Sequence, residues 1–214
     1  MLKIYGMNIS SPANKVRYTA EALDLDYEFN QINLAMGEGQ KPEYLTIHPL
    51  GKVPAIDDNG FRLFESDAIC RYLAGKKVGD FYPADLKERA LIDQWADYAT
   101  SHIMNAVSKI LFNKVFYKFV GAEVDTRSLN EGEQWFQKYM PVIEAELSKS
   151  SNLAGDKMTL ADIHLLAALD PCETAEISLV DFPATSKWRN ELIERKFYQA
   201  VHSSFLDSIK ALSA

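Results

Sequence analysis

The sequence predicts an α/β domain followed by an all-helical one. Two observations carry this expectation. Over the first 78 residues, strand-like and helix-like segments follow one another as β-α-β, a short segment, then β-β-α. Beyond residue 85 the β signal disappears and apolar residues recur at helical spacing. A chain of 214 residues has room for two such domains, residues 1–78 and 86–214, joined by a linker at 79–85.

Leu2 to Gly6 reads as a short strand, and Pro12 followed by Val16, Ala20 and Leu23 reads as a helix with proline in its first turn. Tyr27 to Leu34 is rich in aromatic and β-branched residues, as a strand would be, and a glycine-containing loop and a short segment around Pro42 to Leu45 follow. Val53 to Ile56 and Phe61 to Phe64 flank Asp57-Asp58-Asn59-Gly60, whose Asn-Gly pair signals a hairpin turn. Glu65 to Ala74 places Ala68, Ile69, Tyr72 and Leu73 on one helical face. Gly79 and Pro83 interrupt the periodicity, and a helix from near Leu86 then carries Leu91, Trp95, Tyr98 and His102 along one stripe. Further helices are expected over Trp135–Leu147, Pro183–Glu194 and Tyr198–Leu212. Another should start at Thr159, where Thr159 and Asp162 stand at capping-box spacing and Met158 and Ile163 at staple positions.

Composition narrows the function. Hydrophobic residues make up 47% and charged residues 25%, with 10 Gly and 8 Pro, values of a globular protein and not of a disordered or collagen-like chain. The formal charge of -7 argues against nucleic acid as a partner, because that affinity depends on cations neutralising phosphates. The charge is uneven: residues 1–78 hold 9 basic and 10 acidic side chains, leaving 14 and 20 for the rest. The first domain is therefore nearly neutral and able to take an anion. Cys70 and Cys172 lie far apart without ligand spacing, so neither a disulfide scaffold nor a metal site is expected. Met1 to Gly6 lead straight into a strand and no apolar stretch approaches a membrane span, so a cytoplasmic protein without membrane contact is expected.

Three segments carry chemistry. Ser10-Ser11-Pro12 lies between the first strand and the first helix, where a hydroxyl can either cap the helix or donate to an anion held at its N-terminus. At Val53-Pro54 the proline cannot donate to a ladder, and X-Pro bonds are the ones in which cis is cheap. Glu65-Ser66 opens a helix; it suits a plain N-cap, and it also suits an amino-acid head group, with donors for a carboxylate at Ser66 and a carboxylate for an ammonium at Glu65.

Together, Ser10 to Arg17, His48 to Ala55 and Leu63 to Ile69 resemble the successive glutathione-site motifs of the cytosolic glutathione S-transferase family, and Leu153 to Asp162 resembles its capping-box segment. The resemblance covers nearly the whole chain and is of the serine type. It implies a thioredoxin-like first domain and a helical second domain, with glutathione as co-substrate, no metal, and a homodimer. It further implies that Val53 pairs its backbone with the cysteinyl part of glutathione beside a cis Pro54, and that Glu65 and Ser66 hold the γ-glutamyl head. Lys52, with Gln40 or Lys41, would face the glycyl carboxylate. Ser10 would carry the catalytic hydroxyl, with Ser11 as close rival and Tyr5 the choice in a tyrosine-type member. The expected reaction joins the glutathione thiolate to a small hydrophobic electrophile, in a pocket to which His102, Asn105 and Lys109 contribute. A glutathione-dependent disulfide or peroxide reductase, an isomerase of the maleylacetoacetate type and a non-catalytic binding or scaffold protein are the alternatives. A cysteine-type thiol transferase is disfavoured because Ser10 stands where that branch has cysteine. Pro12 stands where the isomerase branch has cysteine, and Leu50 stands where some classes have an aromatic that keys into the partner subunit.

Overall fold

The structure, a computed structural model, describes all residues except 78, 205–206 and 209–214. The described residues fall into two compact units, one holding the chain before Gly79 together with the segment that starts at Glu194, the other running Gly79–Ile193.

The first unit is built on a mixed four-stranded sheet in the order β2-β1-β3-β4, with β1 at Leu2–Gly6, β2 at Tyr27–Gln31, β3 at Ala55–Asp58 and β4 at Phe61–Phe64. β1 and β2 are parallel. Parallel neighbours need a crossover, which α1 (Ser11–Ala22) supplies. β3 runs antiparallel to both β1 and β4. Asn59 (φ 54°) and Gly60 (φ 92°) turn the β3–β4 hairpin with two consecutive left-handed residues, as the Asn-Gly signal predicts. Two strand boundaries differ from expectation. The ladder of β3 starts at Ala55, not Val53, because Pro54 has no N–H to give. β2 stops at Gln31, short of Leu34, because the Asn33 side chain accepts the Met36 N–H (3.2 Å) and starts a 3₁₀ turn. Two helices follow, α2 at Pro42–Leu45 and α3 at Ser66–Lys76. The chain is thus the thioredoxin-like α/β unit expected from the sequence.

In the second unit, Asp85 caps α4 (Leu86–Tyr98) by accepting the N–H groups of Lys87 (2.9 Å) and Glu88 (3.1 Å). The helix continues through a π stretch at Ala99–Met104 into α5 (Asn105–Lys114). The helix expected over Trp135–Leu147 is longer, since Asp125 caps it and α6 spans Thr126–Leu147. α7 (Leu160–Leu169) is buried along its whole length, and α8 spans Pro183–Ile193. Thr159 and Asp162 form the capping box that their spacing predicts. Among the described residues no helix is long and apolar enough to cross a membrane.

The segment from Glu194 groups with the first unit, although the sequence reading placed it in the helical domain. Its short α9 (Lys196–Gln199) packs on α1, where the Tyr18 ring stacks on Tyr198 at 5.2 Å between centroids. The expected helix over Tyr198–Leu212 does not run through: α9 ends at Gln199 and residues 202–204 are not helical, while 205–206 and 209–212 lie outside the described residues. Covered by sheet, α3 and α9, α1 is buried at every residue from Ala13 to Ala20, its lysine and arginine included.

Candidate functional site

Strand register brings the three chemical segments to one end of the first unit. Tyr5 on β1 pairs with Ala55 on β3, and Ala55 pairs with Phe64 on β4. The chain leaving β1 toward Ser10, the chain entering β3 through Val53-Pro54, and the chain leaving β4 into Glu65-Ser66 therefore share one end of the sheet. The loop after β2 leaves from the same end, tied there by the Ile32 N–H on the Gly6 carbonyl (2.7 Å).

Ser10 is the N-cap of α1, with extended backbone. Its N–H donates to the Met7 carbonyl (2.9 Å), and its Oγ accepts the Ala13 N–H at a long 3.4 Å. Capping occupies a lone pair and leaves the hydroxyl proton to donate elsewhere, so the capping and anion-binding readings are compatible. Ser11 is the first residue inside the helix. The loop before Ser10 is held by Asn8, whose carbonyl accepts from Asn14 Nδ2 (2.7 Å) and whose Oδ1 accepts from Arg17 (2.8 Å). Arg17 also lies 4.0 Å over the Phe29 ring. Sequence reasoning missed this clamp, because nothing in the local pattern marks a buried arginine.

Gln40 and Lys41 lie on a segment that approaches the turn before Lys52 closely. A Cβ on Gly39 would stand 2.2 Å from the Gly51 carbonyl oxygen. Gly51 itself has φ +63°, and a Cβ there would meet Gln40 Nε2 at 2.4 Å. Only two glycines allow the 37–41 loop to lie on the turn that precedes Lys52. Lys41 pairs with Glu38 at 3.2 Å. The Lys52 side chain is exposed, while its carbonyl accepts the Tyr44 hydroxyl (2.6 Å). Burial holds the Tyr44 phenol above its ordinary pKa, so it stays a donor. Tyr5 packs against that same ring at 5.9 Å. The Val53–Pro54 peptide is cis, and Val53 lies outside the strand ladder. His48 is buried under this turn, its Nδ1 accepting the Leu50 N–H (3.2 Å) and its ring against Phe64 (5.0 Å). Burial lowers its pKa, which fits a neutral structural imidazole.

Glu65 is the N-cap of α3, yet its side chain makes no capping bond. Its φ of 71° is a left-handed conformation that costs a non-glycine residue about 1–3 kcal/mol. Such a conformation persists only where the surrounding structure holds it, and the Glu65 side chain is exposed.

In the helical unit His102 sits in the π stretch with its ring 4.8 Å from Tyr98 and 4.7 Å from Tyr139. Asn105 Nδ2 donates back to the Ser101 carbonyl (2.8 Å). Lys109 pairs with Glu131 (3.2 Å) and lies 5.0 Å over the Trp135 ring, so its charge is engaged by α6.

The Cys70 and Cys172 thiols are buried and pushed up by that burial to about 11 and about 12. Neither is a nucleophile at neutral pH, so a reactive sulfur at that end of the sheet would have to arrive with a ligand. Among the described residues no group of three or more His, Cys, Asp or Glu is placed to hold a metal ion.

Comparison with known proteins gives the family. Residues 1–75 match the family model described as glutathione S-transferase, N-terminal domain, and residues 95–196 the one described as glutathione S-transferase, C-terminal domain. The chain is 34% identical to glutathione S-transferase 1 of Zea mays over 94% of its own length and 95% of that protein. The solved structure of glutathione transferase F2 from Populus trichocarpa superposes with a TM-score of 0.88 at 29% identity, covering 99% of this chain and 100% of the other. Glutathione S-transferase I from mais, solved in complex with an atrazine glutathione conjugate, superposes with a TM-score of 0.84 at 32% identity, covering 94% and 95%.

Proposed function

The chain belongs to the glutathione S-transferase family, and on that footing we propose that it is an enzyme joining the thiolate of glutathione to small hydrophobic electrophiles. The observation that carries this reading is Ser10 at the N-cap of a 12-residue helix, its hydroxyl proton not taken up by capping. A thiol at the ordinary pKa of ~8.5 is only about 3% ionised at pH 7. A hydroxyl donor and the positive end of a helix that together lower it by ~2 units require about 2.7 kcal/mol and ionise most of it. The thiolate sulfur then forms a bond to the electrophilic carbon while the displaced group leaves with the electron pair, and the thiol proton goes to solvent.

In this reading Val53 meets the cysteinyl backbone, Glu65 and Ser66 take the γ-glutamyl head, and Lys52 with Gln40 or Lys41 faces the glycyl carboxylate. Pro54 shapes the approach to Val53. The pairing of Lys109 with Glu131 leaves that lysine less suited to meet a hydrophobic electrophile than the sequence suggests. The atrazine glutathione conjugate bound by the similar protein from mais is a product of the kind this reaction would form. A reducing cytoplasm suits two free buried thiols.

Glutathione titration, followed by calorimetry and by ultraviolet thiolate absorbance, is expected to show micromolar-to-millimolar binding with the bound sulfur ionised. Absence of both signals would leave a scaffold role. Turnover of a mixed disulfide but not of an aryl halide would replace the transferase reading with a reductase.

We also propose a homodimer. Leu50, 61% exposed and bonded through its N–H to His48, and the half-exposed Phe64 against the His48 ring offer apolar surface on the first unit. Light scattering should report twice the chain mass for the native protein and a shift to monomer for Leu50→Asp. An unchanged dimer in that variant would move the interface elsewhere.

A further inference from the structure

Lys15 is fully buried on α1, and its ammonium hydrogen-bonds and ion-pairs with Asp67 on α3. An unpaired ammonium would not survive such burial, so the pair is a structural necessity once the lysine is inside. Its position gives it a second consequence. Lys15 lies five residues past Ser10, near the start of α1, and Asp67 is the second residue of α3, directly after Ser66. The ion pair therefore ties together the two helix N-termini that the proposed function assigns to the thiol and to the γ-glutamyl head. Asp67 is also an acidic group, one-quarter exposed, next to the serine that would receive a carboxylate. Without the Lys15 ammonium against it, its charge would repel that carboxylate more strongly and oppose the attraction of the α3 N-terminus.

We propose that Lys15 is a positioning residue of the glutathione site: it holds α1 and α3 in register and neutralises Asp67, so that the start of α3 can accept the anionic γ-glutamyl end of glutathione. This rests on the site assignment made above. Lys15 itself touches no substrate. A residue at this spacing reads from sequence as a solvated lysine, and only the packing of α1 against α3 reveals its partner.

The test uses the full-length protein and steady-state kinetics with an aryl halide. Lys15→Met is expected to raise the KM for glutathione about tenfold or more, with kcat at saturating glutathione changed much less, because the defect lies in admitting an anion. Adding Asp67→Asn to Lys15→Met removes the charge that Lys15 no longer faces and is expected to recover most of the lost affinity. A double variant no better than Lys15→Met would show that the pair acts only through packing, and would overturn the proposal. Should Lys15→Met fail to fold, the neutral hydrogen-bonding pair Lys15→Gln/Asp67→Asn replaces the double variant, with Lys15→Gln alone as its reference and the same recovery required. The glutathione analogue with γ-aminobutyrate in place of the glutamyl residue lacks the carboxylate at issue, so its binding should be weakened far less by Lys15→Met than that of glutathione. Equal weakening of both would also overturn the proposal. Glutathione binding by the native protein, unchanged in Lys15→Met, sinks this inference alone; no binding by the native protein sinks the site assignment itself.

Discussion

Replacing Ser10 with alanine is expected to lower kcat/KM toward an aryl halide about 10- to 25-fold at pH 7, and to lower it progressively less as the pH rises toward 9. The argument follows from the ionisation of the bound thiol. With its pKa held near ~6.5 the thiol is about three-quarters ionised at pH 7, and at the ordinary ~8.5 only about 3% ionised, a ratio of roughly 25. The helix N-terminus survives the substitution, so part of the lowering survives with it. Near pH 9 both thiols are mostly thiolate and the difference closes, which a purely structural defect would not do. Alanine also removes the N-cap of α1, at about 1 kcal/mol, so thermal melts must accompany the pH profile. Full activity in Ser10→Ala together with its loss in Ser11→Ala, or in Tyr5→Phe, would transfer the role to that residue.

Asp162→Ala is expected to be the most damaging single change to folding. The Asp162 carboxylate is fully buried and accepts four donors: the N–H of Thr159 (2.8 Å) and of Leu153 (3.1 Å), the Thr159 hydroxyl (3.2 Å), and Trp188 Nε1 (3.1 Å). Stranding even some of these without partners costs about 1–3 kcal/mol each. A loss of about 4 kcal/mol or more is a large part of an ordinary domain's stability of 5–15 kcal/mol. At roughly 2–4 °C per kcal/mol for a chain of this size, the Tm should fall by about 8–16 °C, read by circular dichroism. A shift of under about 2 °C would show that the network contributes little.

The same carboxyl makes a pH prediction. Burial raises its pKa to about 6, outweighing the four hydrogen bonds that favour the ionised form. The folded pKa lies above the unfolded value of about 3.8, so between pH ~4 and ~6 the folded state binds more protons than the unfolded one. Its contribution therefore falls as pH rises through that window and is flat above it. The urea midpoint of the native protein minus that of Asp162→Asn should grow on acidification from pH 7 to 4. A difference independent of pH would remove Asp162 from the titrating groups.

Much of this protein was legible in the chain because the relevant signals are local. The Asn59-Gly60 pair turns its hairpin because an adjacent Asn and Gly are the residues that tolerate left-handed backbone, whatever surrounds them. The Thr159–Asp162 capping box needs only a hydroxyl and a carboxylate three residues apart. The order of strands and helices follows from periods of two and 3.6, and Ser10 stands at a helix start because Pro12 marks one. Where local signals conflicted the boundaries moved, as at β3, which waits for Ala55, and at α6, which starts at Thr126.

The sequence by itself determined the two-part architecture, the segments that carry chemistry, and the absence of cysteine from the position of Ser10. Tertiary structure alone decided how those segments are held. It lays Gly39 on Gly51, joins Asn8 to Arg17, buries Lys15 against Asp67, gathers the chain from Glu194 with the first unit, and turns Lys109 toward Glu131. The physical reason is range. Periodicity, capping and turn chemistry act over about four residues, while Lys15 and Asp67 stand 52 positions apart and meet only because the sheet and α3 bring the chain back across α1.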